Sequence, residues 1–103
     1  MQPIKNIEIY QGESWGETLK PVYNHEFAID ASVSCVLTVK KDKNTKITKT
    51  ITDASSDNLY YKPSLMPAET SSLDEGEYSM VITVADSDTD FEHQFRYALT
   101  VKK

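Results

Sequence analysis

Residues 73–101, LDEGEYSMVITVADSDTDFEHQFRYALTV, constrain this chain more than any other stretch. Tyr78, Met80, Ile82 and Val84 alternate with Ser79, Val81 and Thr83. The alternation resumes at Phe91, His93, Phe95, Tyr97, Leu99 and Val101. A period of two puts one face of each segment in a core and the other in solvent. The intervening Asp86 to Asp90 is rich in Asp, Ser and Thr, whose side-chain oxygens bond local backbone, so the two segments are expected to form a long antiparallel hairpin.

The rest of the chain repeats this grammar in shorter pieces. Ile4, Ile7, Ile9 and Tyr10 predict a first strand, broken at Gln11-Gly12, and Ser14 to Tyr23 a second that forms one bent edge with it. Ala31 to Lys40 reads as a central strand with Val33, Cys35, Leu37 and Val39 on one face. Lys46 to Thr52 pairs with it through a turn at Lys41 to Thr45, and Leu59 to Leu65 gives a further strand. Pro67 stops strand pairing, and with Glu69 in a first turn it predicts one short helical turn near 67–73. Seven short strands with frequent turn signals predict an all-β fold, an antiparallel β-sandwich of about seven strands.

A chain of 103 residues is expected to form a single domain, 1–103, too small for a core plus a deep enclosed active site. Cys35 is its only cysteine, so no intrachain disulfide can form. The start MQPIKNIEIYQGES has no apolar run of signal-peptide length, and no stretch approaches a membrane span. A Met at the start and a last strand running nearly to Lys103 are the expectation for a whole small gene product.

A formal charge of −5 argues against nucleic-acid binding, which needs a dense positive surface. The charge is uneven, because Lys40, Lys41, Lys43, Lys46 and Lys49 cluster against the single Asp42. Such a cluster is either a solvated turn whose lysines guard strand edges or a dock for an acidic partner, with Lys41 and Lys43 as contact candidates.

Asp74-Glu75-Gly76-Glu77-Tyr78-Ser79-Met80 resembles the immunoglobulin-type tyrosine corner, in which the Tyr hydroxyl bonds backbone just upstream. The resemblance assigns the corner to Asp74, Gly76 and Tyr78. It also implies that Met80 stands at the second cysteine position and faces Cys35 in the core. A broader resemblance covers most of the chain. Tyr10-Gln11-Gly12-Glu13-Ser14-Trp15, the entry Ile29-Asp30-Ala31-Ser32, and Leu65-Met66-Pro67-Ala68-Glu69-Thr70-Ser71-Ser72-Leu73 before Gly76 and Tyr78 follow one order and spacing. That order is similar to small immunoglobulin-like β-sandwich structural proteins of tailed bacteriophages. The resemblance implies a virion component of the head, neck or tail, made in the bacterial host cytoplasm. Its partners would be other virion proteins and copies of itself.

No residue pattern names a reaction, so no enzyme activity and no cofactor are expected. His25 falls in a loop and His93 on an apolar strand phase, without a nucleophile context. Asp86, Asp88 and Asp90 alternate like calcium-loop ligands, but Phe91 and Tyr97 occupy the places where an EF-hand needs Gly and Glu. Tyr10, Trp15 and Tyr60 are candidate contact residues, since such side chains offer an apolar face with a polar edge. That chemistry also serves sugars, so a carbohydrate-binding or adhesion module is the alternative reading, with a small phage-encoded inhibitor of a host protein as a third.

Overall fold

The structure is a computed structural model that describes residues 5–17, 19, 33–54, 61–88 and 91–103. The elements are β1 (Lys5–Tyr10), β2 (Trp15–Gly16), β3 (Val33–Lys41), β4 (Asn44–Thr50), β5 (Ser64–Leu65), α1 (Pro67–Ser71), β6 (Gly76–Asp86) and β7 (Phe91–Lys102). They form a five-stranded sheet in the order β1-β7-β6-β3-β4 and a two-stranded sheet, β2-β5. This is an immunoglobulin-like β-sandwich with one short helix.

The long hairpin forms from Gly76↔Val101 to Asp86↔Phe91 without a break in register. β3 pairs antiparallel with β6 on one side and with β4 on the other, and a bulge lies between Val39 and Lys40. The β3–β4 turn is tight because Lys41 pairs with Asn44, and Asp42 takes the left-handed conformation (φ 55°) that such a turn demands.

Two expectations are corrected. The ladder is not wholly antiparallel, because β1 runs parallel to β7, Lys5 opposite Tyr97 and Tyr10 opposite Lys102. Period two reports which face is buried and is silent on strand direction. Nor do the first two segments form one bent edge. Gly12 (φ 82°) turns the chain out of the large sheet, so β1 lies in one layer and β2 in the other.

The small layer is longer in hydrogen bonds than in regular strand. Trp15 pairs with Leu65, Glu17 N–H donates to the Pro63 carbonyl (3.1 Å), and Leu19 N–H donates to the Tyr61 carbonyl (2.9 Å). Leu19, Tyr61, Leu65 and Leu73 thereby close over the inward face of the large sheet, where Leu37, Met80, Ile82, Leu99 and Val101 are buried.

Cys35 and Met80 are both fully buried, but they do not face one another across the sandwich. Cys35 pairs with Val84 and Met80 with Val39, so both belong to the same sheet on adjacent strands. β3 neighbours β6 as the C strand neighbours the F strand in immunoglobulin domains. Burial pushes the Cys35 thiol up to about 12, so it acts as an apolar core residue.

Lys49 ties the layers together at the β4 edge. Its ammonium donates to the Ser64 carbonyl (3.0 Å) and to Glu69 Oε1 (2.9 Å), while Glu69 also accepts from the Met66 N–H (2.7 Å) at the start of α1. Partial burial raises the Glu69 carboxyl, but the bonds from Lys49 and Met66 and the Lys49 charge hold it below its ordinary value. A depressed carboxyl contributes stability that is present above its unfolded pKa and lost as pH falls through its folded pKa. The urea midpoint is therefore expected to hold from about pH 7 to about pH 5 and to fall as the pH drops below that. Glu69→Gln should show a shallower drop, and an unchanged slope would remove Glu69 from the acid response.

Candidate interaction surface

The two longest motifs of the sequence meet at the crossover between layers. Gln11 N–H donates to the Lys102 carbonyl (2.8 Å), and the Gln11 amide donates to the Leu73 carbonyl (2.7 Å). Thr70, fully buried on α1, donates its hydroxyl to the Glu13 carbonyl (2.8 Å). Gln11 to Glu13 and Thr70 to Leu73 are thus halves of one clasp that joins β1, β2, α1 and β7. Their places in the chain serve closure of the fold.

The tyrosine corner stands beside this clasp. The Tyr78 hydroxyl donates to the Asp74 carbonyl (2.7 Å), and the Lys41 ammonium lies 5.5 Å from the centroid of the Tyr78 ring. Tyr78→Phe keeps the packing and deletes the bond, which should cost about 1–1.5 kcal/mol. Denaturant titration of both proteins checks it, and a loss within error would mean the hydroxyl is equally well satisfied by water.

The lysine cluster divides by role. Lys49 is committed to Ser64 and Glu69, and Lys41 lies over Tyr78. Lys43 and Lys46 are exposed, and Lys40 projects from the outer face of the large sheet.

The aromatic candidates also separate. Tyr10 is 52 % exposed on β1. Trp15 packs against the core, edge-on to Tyr97 with ring centroids 5.7 Å apart, so its contact role is internal. Tyr60 lies outside the described residues, as do His25, residues 29–32 and Asp90. From β1 to β3 is three strand spacings, roughly 14 Å, so Tyr10 and Lys43 sit toward opposite edges of the sheet and make no common patch.

His93 is half-buried with its ring edge-on to Phe95 (4.7 Å), and burial lowers its pKa. Asp86 is buried and its Oδ1 accepts the Asp88 N–H (3.0 Å), a local turn bond. Among the described residues no group of three His, Cys, Asp or Glu is placed to hold a metal, and no helix is long and apolar enough to cross a membrane.

What the sequence reading missed is the outward face of the large sheet. Cross-strand pairing aligns Thr48, Thr38, Val81 and Arg96 in one row, and Lys40, Ser79 and Ala98 in the next. Short side chains on β6 between longer ones on β3 and β7 leave a shallow trough of about 310 Å³. Ser79, Val81 and Thr83 form its floor, Thr38 and Lys40 one wall, and Gln94 and Arg96 the other. The signal was present as the outward phase of three strands, but a small, polar outward phase is what any solvated strand carries. Only the register brings Lys40 and Arg96 to either side of β6.

No family model matches the chain, and no curated protein matches it in sequence. Solved structures resemble it in fold. One, described as Clostridium thermocellum CbhA fibronectin(III)-like modules, is 16 % identical over 98 % of this chain and 91 % of that one, with a TM-score of 0.49. Another, the N-terminal domain of phage TP901-1 ORF48, is 8 % identical over 99 % of this chain and 91 % of that one, with a TM-score of 0.62. At such identity the second likeness speaks for a shared immunoglobulin-like architecture, over nearly the whole of both chains.

Proposed function

We propose that the chain is a bacteriophage or prophage virion structural module that works by protein–protein association in the head, neck or tail. The observation that carries this reading is the likeness, across 99 % of the chain, to a phage protein domain. The order of the Gln11-Gly12-Glu13 and Pro67 to Leu73 motifs, which resembles phage β-sandwich proteins, supports it. A shallow trough and open sheet face suit another macromolecule better than a small substrate, which binds in deeper concave sites. The reading assigns no catalytic residue. Its partners are other virion proteins and further copies of the chain, and its location is the particle.

Quantitative mass spectrometry of purified particles from the strain that encodes the chain tests this. Copies in the hundreds per particle are the result for a head component, and roughly six to a few dozen for a symmetric neck or tail ring. Absence from particles that hold a full set of other structural proteins would overturn the proposal. Selective binding of the purified chain to sugars would then favour the adhesion reading.

A further inference from the structure

We infer that the trough along β6 is a docking groove for an extended acidic segment of a partner protein, a partner chemistry that rests on the associative reading above. Shape is the first argument. The floor runs along one strand from Ser79 to Thr83, about 13 Å at the rise of a β-strand, which accommodates about four residues of extended chain. A groove parallel to a strand fits a strand-like ligand.

Charge is the second. Lys40 and Arg96 rise on opposite walls, and no carboxylate is among the lining residues, although the chain carries 16 acidic residues against 11 basic ones. An acidic side chain over Ser79 and Val81 would meet both cations. Arg96 donates to Gln94 Oε1, which leaves other N–H groups of its guanidinium for a carboxylate. The hydroxyls of Thr38, Ser79 and Thr83 and the Gln94 amide supply further donors along the groove.

The surroundings narrow the ligand. Glu77 and Glu92 lie exposed on the same outer face, two residues before Ser79 on β6 and two before Gln94 on β7. They repel a uniformly acidic chain and favour one whose acids are central and whose flanks are neutral. A peptide is preferred to an anionic sugar because no aromatic ring lines the trough, and sugars are held on flat aromatic faces.

The test is an NMR titration of the folded chain with the peptide Gly-Ser-Thr-Asp-Thr-Asp-Thr-Ser-Gly. Its Asn-for-Asp counterpart and an oligogalacturonate serve as comparison ligands. The Asp peptide should shift the amides of Thr38, Lys40, Ser79, Val81, Thr83, Gln94 and Arg96. The double variant Lys40→Gln/Arg96→Gln should bind at least about tenfold more weakly, while Lys43→Gln/Lys46→Gln, which removes the same charge from the β3–β4 turn and the bulged β4 edge, should change affinity by no more than about twofold. Should the first variant unfold, the shift map of the unaltered chain decides. The inference is overturned by equal binding of the Asn peptide, preference for the oligogalacturonate, shifts centred on the β3–β4 turn, or no binding. None of these outcomes alters the particle count, so the groove and the virion reading fail separately.

Discussion

Leu37→Ala is expected to lower the free energy of unfolding by about 3–4 kcal/mol and the melting temperature by roughly 15 °C or more. Leu37 is fully buried on β3, opposite Ile82 of β6 on one side and Lys49 of β4 on the other. Its side chain is held from both flanks by the sheet and from above by the small layer, so the site has little freedom to collapse around the missing atoms. The loss therefore includes a cavity term as well as the transfer term. A domain of this size has about 5–15 kcal/mol in all, so the variant should be only marginally folded. Urea melts with an unchanged slope would register the loss as stability. The informative companion is Val81→Ala, on the outward face one position before Ile82. It should cost less than about 1 kcal/mol, because its side chain is partly exposed on the outward face and loses less buried area than Leu37. Equal losses at the two positions would mean that the outward face is covered in solution, as it would be in a self-associated form.

The parts of the fold that were legible are those in which a period repeats often enough to be counted. Tyr78 to Val84 and Phe91 to Val101 each show several turns of the alternation, and their register is regular throughout. Pro67 and Glu69 marked α1 because proline and a first-turn acid have positional meaning. Strands are expected over Ser14 to Tyr23 and Leu59 to Leu65, which contain β2 and β5, but the pairing of the two through Trp15 and Leu65 depends on contacts far apart in sequence and was not legible. The Cys35 assignment failed because β3 lies beside β6 in the same sheet, a neighbour relation that periodicity along one strand does not report.

The candidate surface was less legible than the fold. Tyr10, Trp15 and the lysines were singled out by residue type, yet type does not fix depth or direction. Trp15 turned inward onto Tyr97, Lys49 inward onto Glu69, and Lys41 onto Tyr78. Conversely, Arg96 and Gln94 stood on a strand read for its apolar phase, and their relation to Lys40 exists only through two ladders. The residues carrying the phage-like order proved to be clasp residues, with Gln11 bonded to Leu73 and Thr70 to Glu13. Such an order reports how the sandwich closes, and any association must be carried by other side chains.

Gly76→Ala should cost about 1–3 kcal/mol, although the change adds a single methyl group at a half-buried position. Gly76 opens β6 at φ 151°, a backbone conformation that residues with a Cβ rarely adopt. It lies between Asp74 and Tyr78, so the strain would fall on the segment that carries the Asp74 carbonyl to the Tyr78 hydroxyl. A Cβ there would also come within 3.0 Å of Lys41 Nζ, the far end of a flexible side chain that can move aside. The two sources of cost are separable. If the backbone is decisive, Lys41→Ala in the Gly76→Ala background restores little, and the double-mutant coupling stays within about 0.5 kcal/mol. If crowding is decisive, the second substitution recovers most of the loss. Denaturant midpoints of the four proteins in the cycle distinguish the cases. Recovery would show that the corner tolerates a side chain at Gly76, so that its glycine reflects the nearness of Lys41.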